Sequence, residues 1–313
     1  MTDHSIDDDL VANFQIEQQP VRGRIARLGT GSLAPILDRH DYPTELARLL
    51  GEAVTLAALV GSSLKFDGRL LVQAEGSGAV TLLVGEYNTN GGLRGYARYD
   101  EALWNNLERI NKGGRPHMPQ LFGSGALALI MIQDDRPEQP YQGVVPLVRG
   151  TLADCAEDYF AQSEQVPTKV SLSVAEHSVG GAKAHWRSGG MLLQKIAGDE
   201  ARGETGEAWN AAQAIFGTLT DAELADPDLP ANDLLFRLFH ETGVRMEAPI
   251  QVSDMCTCNA ERLQATLAQM PDSELSDIAE GDATLGIDCQ FCNRHYDIAL
   301  ADISRKAEAS SLF

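Results

Sequence analysis

Basic residues are scarce in this 313-residue sequence: 25 Lys and Arg stand against 45 Asp and Glu, leaving a net charge of −20. Such a balance repels phosphate backbones and anionic lipid surfaces over the whole molecule, so neither nucleic acid nor membrane is an expected partner. The same charge favours solubility, which matters for a protein that must at times show apolar surface. No apolar run reaches the roughly 18 residues of a membrane span; Leu56–Val60 is far too short. Met1–Leu10 is polar and acidic and has no signal-peptide apolar core, so the expected location is the cytoplasm. Nucleotide motifs are missing too. Gly29-x-Gly31 and Gly76-x-Gly78 lack the rest of a dinucleotide loop, and no G-x4-G-K-[ST] occurs. The zinc-deaminase pattern is absent, and Cys289–Cys292 follows no βαβ pattern of a thioredoxin-like oxidoreductase.

Cysteine is also rare, with five in all, but four of them crowd into the last fifth of the chain. Cys256-Thr257-Cys258 and Cys289-Gln290-Phe291-Cys292 form two tight pairs separated by 30 residues. In a reducing compartment, clustered thiols point to metal binding or redox sensing rather than structural disulfides. Two arms of two thiolates supply a tetrahedral zinc site with Zn–S of about 2.3 Å and no open position for a catalytic water. The first arm, C-x-C, is tighter than the usual C-x2–4-C. Without its metal it could close only a small, strained ring, and strained disulfides tend to be labile and regulatory. An inert structural zinc remains the alternative. His295 and His240 are weaker ligand candidates beside four thiolates. Cys155, in Asp154-Cys155-Ala156-Glu157, reads as a small core residue with no identifiable base to make it a nucleophile. No enzymatic activity is expected.

The pattern predicts an α+β fold: an N-terminal mixed domain with an antiparallel sheet, a helical linker and a small C-terminal zinc-binding domain. Residues 1–20 read as an acidic flexible tail, 21–197 as the N-terminal domain, 198–247 as the linker and 248–313 as the four-cysteine domain. In the N-terminal domain, Val21–Leu28 alternates as a strand, Leu33–Arg39 reads as a short helix, and Thr44 as the N-cap of a long buried helix from Glu45 to Ser63. Leu70–Glu75, Val80–Tyr87, Leu93–Tyr99, Ala126–Gln133 and Tyr141–Val148 read as strands, with Asn90-Gly91-Gly92 as a hairpin turn. Thr151–Gln165 is a helix; Lys169–Ala175 and Met191–Ile196 are strands joined by a glycine-rich loop. Ala208–Leu219 and Asp233–Glu241 carry narrow apolar stripes that need a neighbour to dock on, a metastable element. In the last domain Asn259 caps a helix to Gln269, Asp272–Glu280 makes another, and Leu285–Asp288 leads into Cys289. That domain is too small for its core alone to hold it, so zinc would supply most of its folding free energy, about 10–16 kcal/mol in small zinc domains.

Several stretches together carry a resemblance. With the cysteine pattern, they are Leu64-Lys65-Phe66-Asp67-Gly68, Tyr141-Gln142-Gly143-Val144-Val145, Glu157-Asp158-Tyr159-Phe160 with Ser163-Glu164-Gln165-Val166-Pro167-Thr168, and Gly189-Gly190-Met191-Leu192-Leu193-Gln194. From about Val21 to Ile303 the sequence closely resembles the bacterial 33-kDa heat-shock, redox-regulated chaperone family. The resemblance implies an ATP-independent holdase, inactive when Cys256, Cys258, Cys289 and Cys292 hold one zinc ion per reduced chain. It implies that hypochlorous acid, or peroxide with heat, forms Cys256–Cys258 and Cys289–Cys292 disulfides and releases the zinc. The C-terminal domain and linker then unfold and capture unfolding client proteins, typically as a homodimer. The competing readings are a structural zinc-ribbon interaction module without redox switching, or a thiol enzyme using Cys289 or Cys155.

Overall fold

The computed structural model describes residues 8–17, 19–178, 184–196, 205–279 and 282–303, and the chain divides into two units, Met1–Met255 and Cys256–Phe313. Parts of the expected tail (1–7) and glycine-rich loop (179–183), the last residue of the expected N-terminal domain (197) and the start of the expected linker (198–204) lie outside the described residues.

The first unit begins with β1 (Leu10–Ile16) and β2 (Val21–Leu28), antiparallel from Leu10↔Arg27 to Gln15↔Arg22. The expected flexible tail is therefore wrong over Leu10–Ile16. Leu10, Ala12, Phe14 and Ile16 alternate onto one buried face, a period-2 strand pattern behind an acidic lead-in. After the short helix α1 (Ala34–Leu37) comes α2 (Thr44–Gly61), apolar on nearly every side. Thr44 is its first helical residue; Pro43 takes the cap position without a side-chain bond, which corrects the expected Thr44 cap. A meander follows: β3 (Gly68–Gly76), β4 (Val80–Asn88) and β5 (Gly92–Tyr99), with Gly91 at φ 89° in the turn. Asp100 caps α3 (Glu101–Asn111), accepting from the Leu103 amide at 2.9 Å. Then come α4 (Met118–Phe122), β6 (Gly125–Gln133) and β7 (Tyr141–Pro146).

Thr151 caps α5 (Leu152–Tyr159) in a reciprocal capping box with Asp154. The expected helix to Gln165 changes character at Phe160, where a π-helical turn (Phe160–Glu164) is closed by Gln165 at φ 55°. The hairpin strands β8 (Thr168–His177) and β9 (His185–Lys195) complete the first sheet's core.

A helix buried all round needs cover on two sides. Accordingly α2 packs against β2, β8 and β9 on one side and β3, β4 and β5 on the other. Two glycines let the sheets come this close. A Cβ on Gly85 would sit 2.5 Å from the Ala53 carbonyl carbon, and one on Gly190 2.7 Å from Thr55 Cγ2.

The segment expected as linker forms α6 (Thr205–Phe216), α7 (Asp221–Ala225) and α8 (Ala231–Phe239). Trp209, Ala212, Phe216, Leu234, Leu235 and Phe239 form one buried cluster with Phe14, Ile16, Ile25, Met191 and Leu193 of β1, β2 and β9. Short strands β10 (Val244–Met246) and β11 (Ile250–Gln251) pair with β1, and β12 (Ser253–Asp254) pairs with β5. Among the described residues the first unit's two sheets thus run β10-β1-β2-β9-β8 and β12-β5-β4-β3-β6-β7, antiparallel except for the parallel β12–β5 contact. These strands keep the chain in the first unit up to Met255, later than the expected boundary at 248.

The second unit is α9 (Ala260–Leu267), α10 (Asp272–Ala279) and the antiparallel hairpin β13 (Thr284–Asp288) with β14 (His295–Ala299). Its buried cluster among the described residues is six side chains: Leu267, Leu275, Ala279, Leu285, Ile298 and Ile303. The α+β class and the predominance of antiparallel pairing match the expectation from sequence.

Candidate metal centre

Both cysteine arms are held by local structure within the second unit. Asn259 caps α9, its side chain accepting from the Arg262 amide at 2.8 Å, and Arg262 Nη1 donates back to the Thr257 carbonyl at 2.9 Å. Helix start and C-x-C arm are thereby tied together. The second arm is the turn between β13 and β14. The Cys289 amide donates to the Arg294 carbonyl at 2.9 Å, the Asn293 amide donates to the Cys289 carbonyl at 2.8 Å, and Asn293 takes φ 55° to reverse the chain. Asn is among the few residues that adopt this left-handed conformation cheaply.

The four sulfurs of Cys256, Cys258, Cys289 and Cys292 lie within 4.8 Å of one another. Cys256 and Cys289 are 3.7 Å apart, Cys258 and Cys292 3.4 Å. A tetrahedron of thiolates at about 2.3 Å from zinc has edges of about 3.8 Å, so the donor set and its spacing fit zinc. Cys289 is buried, and the other three are half-buried. The Cys258 thiol is lowered to about 7: burial raises it, and hydrogen bonds from the Tyr296 hydroxyl and the other three cysteines outweigh that. Burial pushes Cys292 up to about 12 and Cys256 upward as well. A bound divalent cation would hold all four deprotonated.

The lesser candidates fall elsewhere. His295, on β14, is exposed and bonds Asp288 at 2.7 Å and Asp297 at 3.2 Å, hydrogen bonds that raise its pKa. His240 belongs to the first unit, its Nδ1 3.2 Å from the Phe236 carbonyl. Cys155 is fully buried in the first unit's core, where desolvation raises its pKa. Sequence reasoning missed Tyr296. Its hydroxyl lies 3.1 Å from Cys258 Sγ and 3.1 Å from the Cys258 carbonyl. The signal was an aromatic with a polar tip just past the second arm, a residue type that seeks a hydrogen-bond partner when partly buried.

Comparison with known proteins agrees with this architecture. The family model described as Hsp33 protein matches residues 9–299. The 33 kDa chaperonin of Caulobacter vibrioides (strain NA1000 / CB15N) is 46% identical over 298 residues, covering 95% of this chain and 96% of that protein. The 33 kDa chaperonin of Azotobacter vinelandii is 34% identical over 302 residues, 96% of this chain and 94% of that one. The crystal structure of the Thermotoga maritima 33 kDa chaperonin shares the fold, with a TM-score of 0.76 at 24% identity, covering 94% of this chain and 96% of that one. A match across nearly the whole chain, with two cysteine arms converging as described, makes the chain a member of the Hsp33 chaperone family.

Proposed function

We propose that the protein is a redox-regulated, ATP-independent holdase of the cytoplasm, binding unfolding clients during oxidative stress. The observation that carries the reading is the convergence of Cys256, Cys258, Cys289 and Cys292 in a unit whose described core is only six side chains. In the reduced state these four hold one zinc ion per chain. Bound zinc keeps the thiols ionised and supplies the folding free energy that so small a core lacks.

Oxidation acts through the thiolates themselves. In each arm one thiolate attacks a peroxide oxygen, the O–O bond breaks, and a sulfenic acid and hydroxide form. The neighbouring thiolate displaces a second hydroxide and closes the disulfide, so two sulfurs lose two electrons and the peroxide gains them. The reading assigns the pairs Cys256–Cys258 and Cys289–Cys292. Each arm then has its resolving partner built in, and the two disulfides would leave none of the four sulfurs as the thiolate that a zinc ion needs.

What opens next follows from the first unit's second core. Residues 198–247 act as the metastable linker, and α6 and α8 dock by a narrow stripe on the outer face of β1, β2 and β9. Undocking uncovers two apolar surfaces at once, Trp209, Phe216, Leu235 and Phe239 on one side and Phe14, Ile16, Ile25 and Leu193 on the other. Contiguous apolar area of this kind captures unfolded chains with little sequence readout. The N-terminal domain then supplies client binding and the contacts of a homodimer, and the −20 charge keeps the open form in solution.

The test is light scattering from a heat-unfolding client, with zinc per chain measured in parallel. Oxidised protein suppresses aggregation and has released its zinc; reduced protein does neither. Equal activity in both states would instead favour a structural zinc module without a switch.

A further inference from the structure

One side chain beside the metal centre has a geometry that bears on how each sulfur reacts. The Tyr296 hydroxyl sits 3.1 Å from both the sulfur and the carbonyl oxygen of Cys258. A thiol at Cys258 could donate to the phenol, but a thiolate held as a metal ligand has no proton to give. The phenol O–H is then the donor, shared between the sulfur and the carbonyl. The Arg294 cation interacts electrostatically with the phenol, and a positive charge of this kind makes the phenol a stronger donor. Tyr296 is itself fixed. It is half-buried against the small core and sits on β14 opposite Ile287 of β13.

A hydrogen bond to a metal-bound thiolate draws charge from the sulfur and orients it, as groups around a metal's ligands generally do. We propose that Tyr296 is a positioning residue that restrains Cys258: its hydroxyl pins the C-x-C arm to β14 and slows attack by the Cys258 sulfur on electrophiles. Cys292, by contrast, faces the backbone amide of Arg294, which no side-chain substitution removes. The inference rests on the reading of the four cysteines as metal-held thiolates. It does not require that their oxidation activates a chaperone.

The test uses full-length, reduced, zinc-loaded protein and a pulse of iodoacetamide that leaves well under one label per chain. In that reaction a thiolate sulfur bonds the methylene carbon and iodide leaves, so the first label reports nucleophilicity without any disulfide step. Peptide mass spectrometry then counts labels at each cysteine. With Tyr296→Phe, labelling of Cys258 rises about tenfold, the scale of losing a hydrogen bond to a charged group, while Cys292 changes less than twofold. Arg294→Gln moves Cys258 the same way by two- to threefold and leaves the hydroxyl in place, so the proposal stays testable if the phenylalanine variant folds poorly. An equal rise at all four cysteines, meaning general loosening, overturns it, as does an unchanged pattern in both variants. A zinc-loaded wild type that keeps its metal under peroxide would contradict the proposed function and leave this labelling test intact.

Discussion

On the proposed reading, the two units reach stability by opposite routes. In the first, 46 described residues form one buried cluster around α2, with a second cluster beneath α6 and α8. In the second, the buried cluster of described residues is six side chains, beside which four sulfurs converge. Burial at about 25 cal/mol per Å² stabilises the first without help. It leaves the second near the point where chain entropy wins, unless a ligand is added. On that reading the difference is one of control: the large core around α2 offers a thiol reagent no handle, whereas the unit that carries the four converging thiols does.

The largest effect that would break the comparison is at Cys289. With Cys289→Ser, zinc affinity collapses and the second unit loses most of the roughly 10 kcal/mol that metal binding contributes, while the two large sheets keep their unfolding transition. Differential proteolysis with zinc analysis checks this. A protease-resistant segment 256–303 in the variant would contradict it. Next in size is Leu50→Ala at the centre of α2. Leu50 is fully buried, and such truncations cost about 2–5 kcal/mol. Denaturant melts should show that loss in the first unit, with zinc binding unchanged.

A smaller effect is set by pH. Burial, with Asp221 and Glu45 nearby, raises Glu52 to about 7 against the opposing pull of Arg115 and Arg48. The folded state therefore holds a proton that the unfolded chain has already lost between about pH 4.5 and 7. Stability from this group is greatest at low pH and falls as pH rises through that window. Glu52→Gln should flatten the dependence and stabilise the first unit at pH 8 by at most about 3 kcal/mol. Thermal melts at pH 5 and pH 8 read it directly. Smallest is Thr151→Ala, which breaks the capping box on α5 and should cost about 1 kcal/mol, again measured by melting.

Sequence was informative where one local rule governed. The buried α2, the Asn90-Gly91-Gly92 turn, the Thr151 and Asn259 caps and the convergence of the four cysteines each follow from spacing or residue type. It failed where context decided. The alternation Leu10-x-Ala12-x-Phe14-x-Ile16 was present, but the acidic residues before it suggested a loose tail. The cap position before Thr44 went to Pro43. The strands β10, β11 and β12 are only two or three residues long, and such pieces are set by partners distant in sequence. Tyr296 was hidden for the same reason, since its contact with Cys258 spans 38 residues and exists only once both arms converge.

The contrast between a packed unit and a metal-held one is tested most directly by hydrogen exchange on reduced protein before and after zinc is removed by a chelator under anaerobic conditions. The expected result is that amides of β13, β14 and α9 lose protection completely while those of α2 and β3–β6 exchange as slowly as before. Retained protection across 256–303 in the stripped, reduced protein would show that the small core suffices, and the switch built on its weakness would fall with it.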